Sequence, residues 1–297
     1  MRTLVTVLLT VLAAPALAEA QRFELVLLSA GGVNASDVNR MDDRPLIVMA
    51  GGSEGGMYAP PQALRTKLLK VGYDIATLAM FRTDALPRAL VRVPLDRLAI
   101  KGRDLRTRYG KCVALVGISR GGEMTLIVAS RDPDAFDAYA AIVPAHAAGS
   151  AVQTTFLNRP AWTWKGADVP YVRLNRFSPA GLGWALTKGR ERARYNYRMQ
   201  SALLRPEVMT SPARITVERI EKPLLLVSAT RDHVWPSEPM ATIVEQTMRR
   251  EGRGGLVRHV RMDTDHFVAR DPRYPMILTD WLQRVLPPTA RPANGCR

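Results

Sequence analysis

The sequence predicts an α/β domain with a mostly parallel sheet and helices on both of its faces, and three observations carry that reading. Short apolar, β-rich runs alternate with longer stretches whose apolar residues recur at helical spacing. Parallel strands need a crossover between them, usually a helix, so this alternation is their signature. The most apolar run is followed at once by a glycine-flanked serine and then by a helical stretch. The third observation is bulk composition: 47% hydrophobic and 23% charged over 297 residues is globular, with core enough to exclude water from a site.

The first residues are set aside before the fold is argued. Met1 and Arg2 open with positive charge, residues 4–14 are apolar, and Ala16-Leu17-Ala18 is a small-x-small pattern. The run is shorter than the roughly 20 residues a bilayer-spanning helix requires. Residues 1–18 therefore read as a cleaved signal peptide. The mature chain is expected to be periplasmic or secreted, with no transmembrane segment after cleavage.

Strands are predicted at 46–50, 74–80, 112–116, 139–143, 223–228 and 256–262, each a short apolar run bounded by turn residues. Helices are predicted at 62–71, 95–108, 120–130, 239–251 and 275–286. In the second, Leu95, Leu98, Ala99 and Leu105 share one face with charges opposite, as a surface helix requires. Between about 145 and 220 the rhythm stops. No clean strand is visible there, while Trp162, Trp164, Trp184, Tyr195 and Tyr197 accumulate. An excursion this long reads as a lid-like insertion in a single domain over 19–297.

Gly117-Ile118-Ser119-Arg120-Gly121 joins the most apolar run to the helix after it. This is a Gly-x-Ser-x-Gly nucleophile elbow, which makes the α/β-hydrolase fold the specific expectation. Its tight turn lifts the serine hydroxyl above the sheet, at a helix N-terminus that favours negative charge. A serine needs a base, and the chain has four histidines. His266 follows the last strand, where this fold carries its histidine, and Asp232 follows the strand before it. Asp263 and Asp265 are rival acids, though turn chemistry is the ordinary use of Asp there. His259 lies inside a strand, and His233 adjoins the acid candidate. His146 follows a strand and could line the pocket.

The glycine-rich stretch from Gly51 to Gly56 follows the first predicted strand, where an oxyanion donor is expected. The N–H of Ser53 is favoured, with Gly52 as the alternative, and the N–H of Arg120 supplies the second donor. Trp162, Trp164 and Trp235 are candidates for an acyl-binding pocket, although such aromatics more often serve ordinary packing.

Gly117-Ile118-Ser119-Arg120-Gly121-Gly122-Glu123-Met124 resembles the elbow of the acyl-CoA thioester hydrolase and bile acid acyltransferase C-terminal domain family. Ala161-Trp162-Thr163-Trp164-Lys165-Gly166, Ile215-Thr216-Val217-Glu218-Arg219-Ile220 and Asp232-His233-Val234-Trp235-Pro236-Ser237 fit the same resemblance, which spans about 46–286. It implies that Ser119 is the nucleophile, Asp232 the orienting acid and His266 the base, in acyl transfer from an ester or thioester. Members that conjugate amino acids use Cys where this chain has Ser119, so the resemblance implies hydrolysis. A small-molecule acyl ester or thioester is the expected partner and no cofactor is expected. The alternatives are an exported serine peptidase of the same fold and a non-catalytic binding protein.

The net charge of +15 comes mostly from arginines spread along the chain, without a nucleic-acid-binding motif. No nucleic-acid partner is expected; the diffuse charge reads first as a solvated surface, with contact with an anionic surface as the alternative. Cys112 and Cys296 lack metal-ligand spacing, so no metal site is expected. Export allows them to pair, but Cys112 in an apolar run reads more readily as a buried free thiol, and the pairing stays open.

Overall fold

A computed structural model describes residues 24–27, 33–34, 44–107, 110–152 and 158–296. The expected signal peptide at 1–18 lies outside the described residues. Eight strands form the main sheet: β1 (Glu24–Leu27), β2 (Val33–Asn34), β3 (Leu46–Ala50), β4 (Asp74–Ala79), β6 (Val113–Ile118), β7 (Ala138–Ile142), β10 (Leu224–Ala229) and β11 (Val257–Met262). Their spatial order is β11-β10-β7-β6-β3-β4-β1-β2. The six from β11 to β4 are parallel, and β1 and β2 extend that edge antiparallel.

Side-chain alternation explains why these runs are apolar throughout. Leu46, Val48 and Ala50 of β3 enter one core cluster, while Ile47 and Met49 enter the other. The same split divides Val113 and Leu115 from Ala114 and Val116, and Leu224 and Leu226 from Leu225 and Val227. A strand buried on both faces reads as a continuous hydrophobic run. On the first face lie α2 (Leu95–Thr107), α3 (Arg120–Arg131) and α7 (Ser237–Arg250). On the second lie α1 (Gln62–Val71), through Leu64 and Leu68, and α8 (Tyr274–Val285), through Leu278, Trp281 and Leu282. The predicted layers are present, with boundaries shifted by one or two residues.

The segment between β7 and β10 departs from the expectation of no strand. Here β8 (Trp162–Trp164) pairs parallel with β5 (Val93–Pro94) and antiparallel with β9 (Ala167–Asp168), forming a separate small sheet. The segment also holds α4 (Pro179–Leu186), α5 (Gly189–Gln200) and α6 (Pro206–Thr210). No helix among the described residues is long and apolar enough to cross a membrane.

The cysteines are paired, contrary to the reading of Cys112 as a free thiol. Cys112, just ahead of β6, bonds to Cys296, with Cα atoms 5.4 Å apart and 184 residues between them. The tail reaches it because it folds back along the second face. Tyr73 donates its hydroxyl hydrogen to the Leu286 carbonyl at 2.8 Å, Ala290 is buried, and Cys296 packs on the same cluster as α1 and α8. Closing so long a loop removes much of the unfolded chain's freedom, in the chain-entropy account. Cys296→Ser should therefore lower stability to unfolding by about 2–5 kcal/mol. Urea titration of the variant against the oxidised wild type measures this, with circular dichroism in buffer expected to be unchanged.

Candidate active site

β6 ends at Ile118 and α3 begins at Arg120, so Ser119 alone makes the turn. Its backbone sits at φ 58° and ψ −115°, a region that costs a non-glycine residue about 1–3 kcal/mol. The flanking glycines are required by contact. A Cβ on Gly117 would lie 2.0 Å from the Gly121 carbonyl oxygen, and one on Gly121 would lie 2.4 Å from that of Gly51. Neither clash can relax, because backbone meets backbone. The Ser119 N–H is anchored on the Ile142 carbonyl of β7 at 2.8 Å.

The loop after β11 brings His266 to this turn. Its Nε2 lies 3.1 Å from Ser119 Oγ, and its Nδ1 lies 2.8 Å from Asp232 Oδ2. Asp232 also accepts the N–H groups of Val234 at 2.9 Å and Trp235 at 3.2 Å on Oδ1. A carboxylate so placed can only accept, so Nδ1 carries the hydrogen. Nε2 is then left to accept from the Ser119 hydroxyl. The Asp232 side chain is 2% exposed and that of His266 8%. The two rival acids have other partners: Asp263 pairs with Arg231, and Asp265 accepts the Phe267 N–H within its own turn.

Two residues hold this group in roles that the sequence reading did not give them. The Trp235 ring meets His266 edge-on at 5.9 Å, and its indole N–H donates to the Val143 carbonyl at 3.1 Å. Val143 itself stands at φ 42°, which a β-branched residue rarely tolerates, and its N–H is tied to the Val227 carbonyl at 2.6 Å. Glu54 is the second. Its Oε1 accepts the Gly52 N–H at 2.8 Å, so that donor is engaged in this state. A Cβ on Gly52 would lie 2.9 Å from Ser119 Cβ and 3.2 Å from its Oγ, which shows how closely Gly52 passes the hydroxyl.

The predicted acyl-pocket tryptophans are placed differently. Trp162 is 1% exposed and donates its indole N–H to Glu123 at 2.6 Å. Trp164 packs against the first core with the Arg131 guanidinium over its ring. No hydrogen bond or ring contact joins either to Ser119 or His266 among the described residues. Both lie in β8, whose pairing with β5 turns them into the core. Trp235 is the one aromatic of the three that reaches the site, as a support for His266. His146 is buried too, and both its ring nitrogens lack a hydrogen-bond partner among the described residues.

Beneath the elbow lies an ion pair that the sequence reading missed. Arg120 donates to Glu123 Oε2 at 2.5 Å and to the Gly149 and Ser150 carbonyls, both at 3.2 Å. Glu123 Oε1 accepts the N–H of Gly149 at 3.0 Å together with the Trp162 indole. Burial lowers the Arg120 pKa, with the Glu123 charge opposing it. Burial raises that of Glu123, opposed by Arg120, the indole and the Gly149 N–H. The signal available was the Arg-x-x-Glu spacing, which puts both residues on one helix face.

A model of the family described as BAAT / Acyl-CoA thioester hydrolase C terminal matches residues 106–285. No curated protein matches. Among solved structures, an esterase of Pyrococcus furiosus superposes with a TM-score of 0.53 at 12% identity, over 82% of this chain and 84% of its own. A monoacylglycerol lipase of Paleococcus ferrophilus gives 0.50 at 16%, over 80% of this chain and 95% of its own. The Pyrococcus horikoshii acylaminoacyl peptidase gives 0.50 at 16%, over 82% of this chain but 37% of its own. At such identities the likeness is one of fold, the α/β-hydrolase fold.

Two substitutions probe the groups described. Glu123→Ala leaves the Arg120 charge buried and uncompensated, and should cost about 3–5 kcal/mol in urea unfolding. His146 has its pKa lowered to about 4, first by burial and then by the charge of Arg214. An unfolded histidine titrates near 6.5, so between these values the unfolded chain binds more protons and stability falls as pH falls. Wild type should lose about 2 kcal/mol between pH 7 and pH 5 through this group, and His146→Phe should lose correspondingly less.

Proposed function

The chain belongs to the BAAT / acyl-CoA thioester hydrolase C-terminal family, and from that premise we propose that it is a serine hydrolase opening carboxylic ester or thioester bonds. The observation that carries this reading is the continuous chain of hydrogen bonds from Ser119 Oγ through His266 to Asp232.

In the proposed reaction Ser119 Oγ attacks the acyl carbonyl as its proton passes to His266 Nε2. Asp232 holds the ring in the accepting tautomer and stabilises the imidazolium formed. The tetrahedral oxyanion is received by the Arg120 N–H, at the first turn of α3, and by a donor from Ser53 or Gly52. Gly52 can serve once Glu54 releases its N–H. His266 then protonates the leaving alcohol or thiol, and water opens the acyl-enzyme by the same steps. One oxyanion donor is worth about 3 kcal/mol in such a transition state. The reaction as written calls on no metal or cofactor. Because a serine so activated can also cleave amides, a panel of esters, thioesters and peptides decides among leaving groups.

We also propose that the protein works outside the cytoplasm. The Cys112–Cys296 bond supports this, since structural disulfides persist in oxidising compartments. The basic surface then faces anionic material rather than nucleic acid.

The direct test is labelling with a fluorophosphonate followed by peptide mapping. A single adduct on Ser119 is expected, lost in His266→Ala. Ser119→Ala should keep the fold and lower turnover by at least about a thousandfold. Asp232→Asn should be comparably impaired and Asp265→Asn close to wild type. Unchanged turnover in Ser119→Ala would sink the assignment.

A further inference from the structure

Helix α4 reads Pro-Ala-Gly-Leu-Gly-Trp-Ala-Leu and carries no charged or hydrogen-bonding side chain except the Trp184 indole. A surface helix ordinarily turns polar residues outward. This one turns apolar residues both ways. Ala180 and Trp184 pack inward on Leu174, Met199 and Ala202. Outward stand Leu182 at 44% exposure and Leu186 at 84%, with Phe177 at 69% just before the helix. The arrangement is held in place. Ser178 Oγ caps the helix on the Gly181 N–H at 3.1 Å, and the Thr187 hydroxyl donates to the Gly183 carbonyl at 2.6 Å. Gly183 lies so close to Tyr195 of α5 that a Cβ there would meet its ring at 2.4 Å.

The flank of this apolar ridge is cationic. Lys188, Arg190, Arg192, Arg194 and Arg198 are exposed in and just ahead of α5, against one acid, Glu191. The Arg192 guanidinium lies 4.4 Å from the Trp184 ring centre. Asn196 of the same helix donates to the Val234 carbonyl at 2.8 Å, between Asp232 and Trp235. The hairpin is therefore fastened beside the candidate active site.

We propose that the α4–α5 hairpin docks on an anionic lipid surface, with Phe177, Leu182 and Leu186 among the acyl chains and the α5 cations on headgroup phosphates. An apolar ridge edged by Arg and Lys is what such an interface selects, because chains and phosphates lie within one side-chain length of each other. The helix is far too short to span a bilayer, so it lies in the interface. A second copy fits less well, since twofold pairing of this face brings two cationic α5 helices together. Docking goes beyond the hydrolase reading and does not depend on it.

Vesicle flotation tests the proposal directly, using phosphatidylcholine vesicles with and without phosphatidylglycerol. Wild type should float with the phosphatidylglycerol vesicles, bind pure phosphatidylcholine far less, and be partly released by salt. Leu182→Ser with Leu186→Ser should lose binding with unchanged circular dichroism. Arg190→Glu with Arg194→Glu should bind at least about thirtyfold more weakly, the effect of losing two cations at a charged lipid surface. Equal affinity for both vesicle types would overturn the proposal, as would undiminished binding by both double variants. A wild-type dimer that the leucine variant dissociates would overturn it too, by making a second copy the occupant.

Discussion

Backbone crowding where β6 hands over to α3 is the constraint on which the rest of this structure depends. Gly117, Gly121 and Gly51 come so near one another that a methyl group at either of the first two positions would meet main chain. Only that closeness forces Ser119 into its unfavourable backbone region, and only from there does its hydroxyl leave the sheet toward His266. The strain persists because its surroundings over-determine it. Ile142 accepts the Ser119 N–H, and the Glu123 N–H is satisfied by the Ser119 carbonyl at 3.0 Å. Relaxing the serine would break both.

The Arg120–Glu123 pair extends this hold to the segment between β7 and β10. A buried ion pair is weak grounds for stability, since desolvation cancels most of its attraction, and well-packed hydrophobes often do as well. Hydrophobes, however, could not answer the backbone at Gly149 and Ser150 or the indole of Trp162. The pair fixes the departure of the chain from β7 and the entry of β8, and both are referred to the helix that follows the serine. Val143 and Trp235 do the same on the other side, tying the end of β7 to the ring that braces His266. Two residues at positive φ, Ser119 and Val143, and these buried polar bonds thus hold the elbow from both sides.

What could be read in the sequence follows from the range of the interactions. Ser119, Asp232 and His266 are legible because each follows an apolar run, Ser119 within its Gly-x-Ser-x-Gly turn, and apolar runs mark strand ends whatever the rest of the chain does. The structure brings these three within hydrogen-bond reach. Bonds without a period were illegible. Glu123 and Trp162 are 39 residues apart, one in helix α3 and the other in the small sheet, so the tryptophan reads as pocket lining when it is a core donor. The disulfide spans 184 residues, and nothing local says that the tail returns. The short strands β1, β2, β5, β8 and β9 contain too few residues to show alternation. Helix α4 is illegible for another reason, because its apolar residues face both ways and only packing decides which of them are exposed.

A second constellation shows why residue types alone decide so little. Ser228 Oγ lies 2.7 Å from His259 Nε2, and His259 Nδ1 lies 2.9 Å from Glu245 Oε2, repeating the order found at Ser119. Here, however, the serine is in the interior of β10, is completely buried, and has strand rather than helix after it. Its hydroxyl faces no solvent, so a substrate carbonyl has no way to it. Burial lowers the His259 pKa, with Glu245 partly restoring it, as suits a neutral ring bridging two strands and α7. The bonds are equally good at both places. The elbow differs in its strained turn and its helix N-terminus, and these, more than the three side chains, set Ser119 apart.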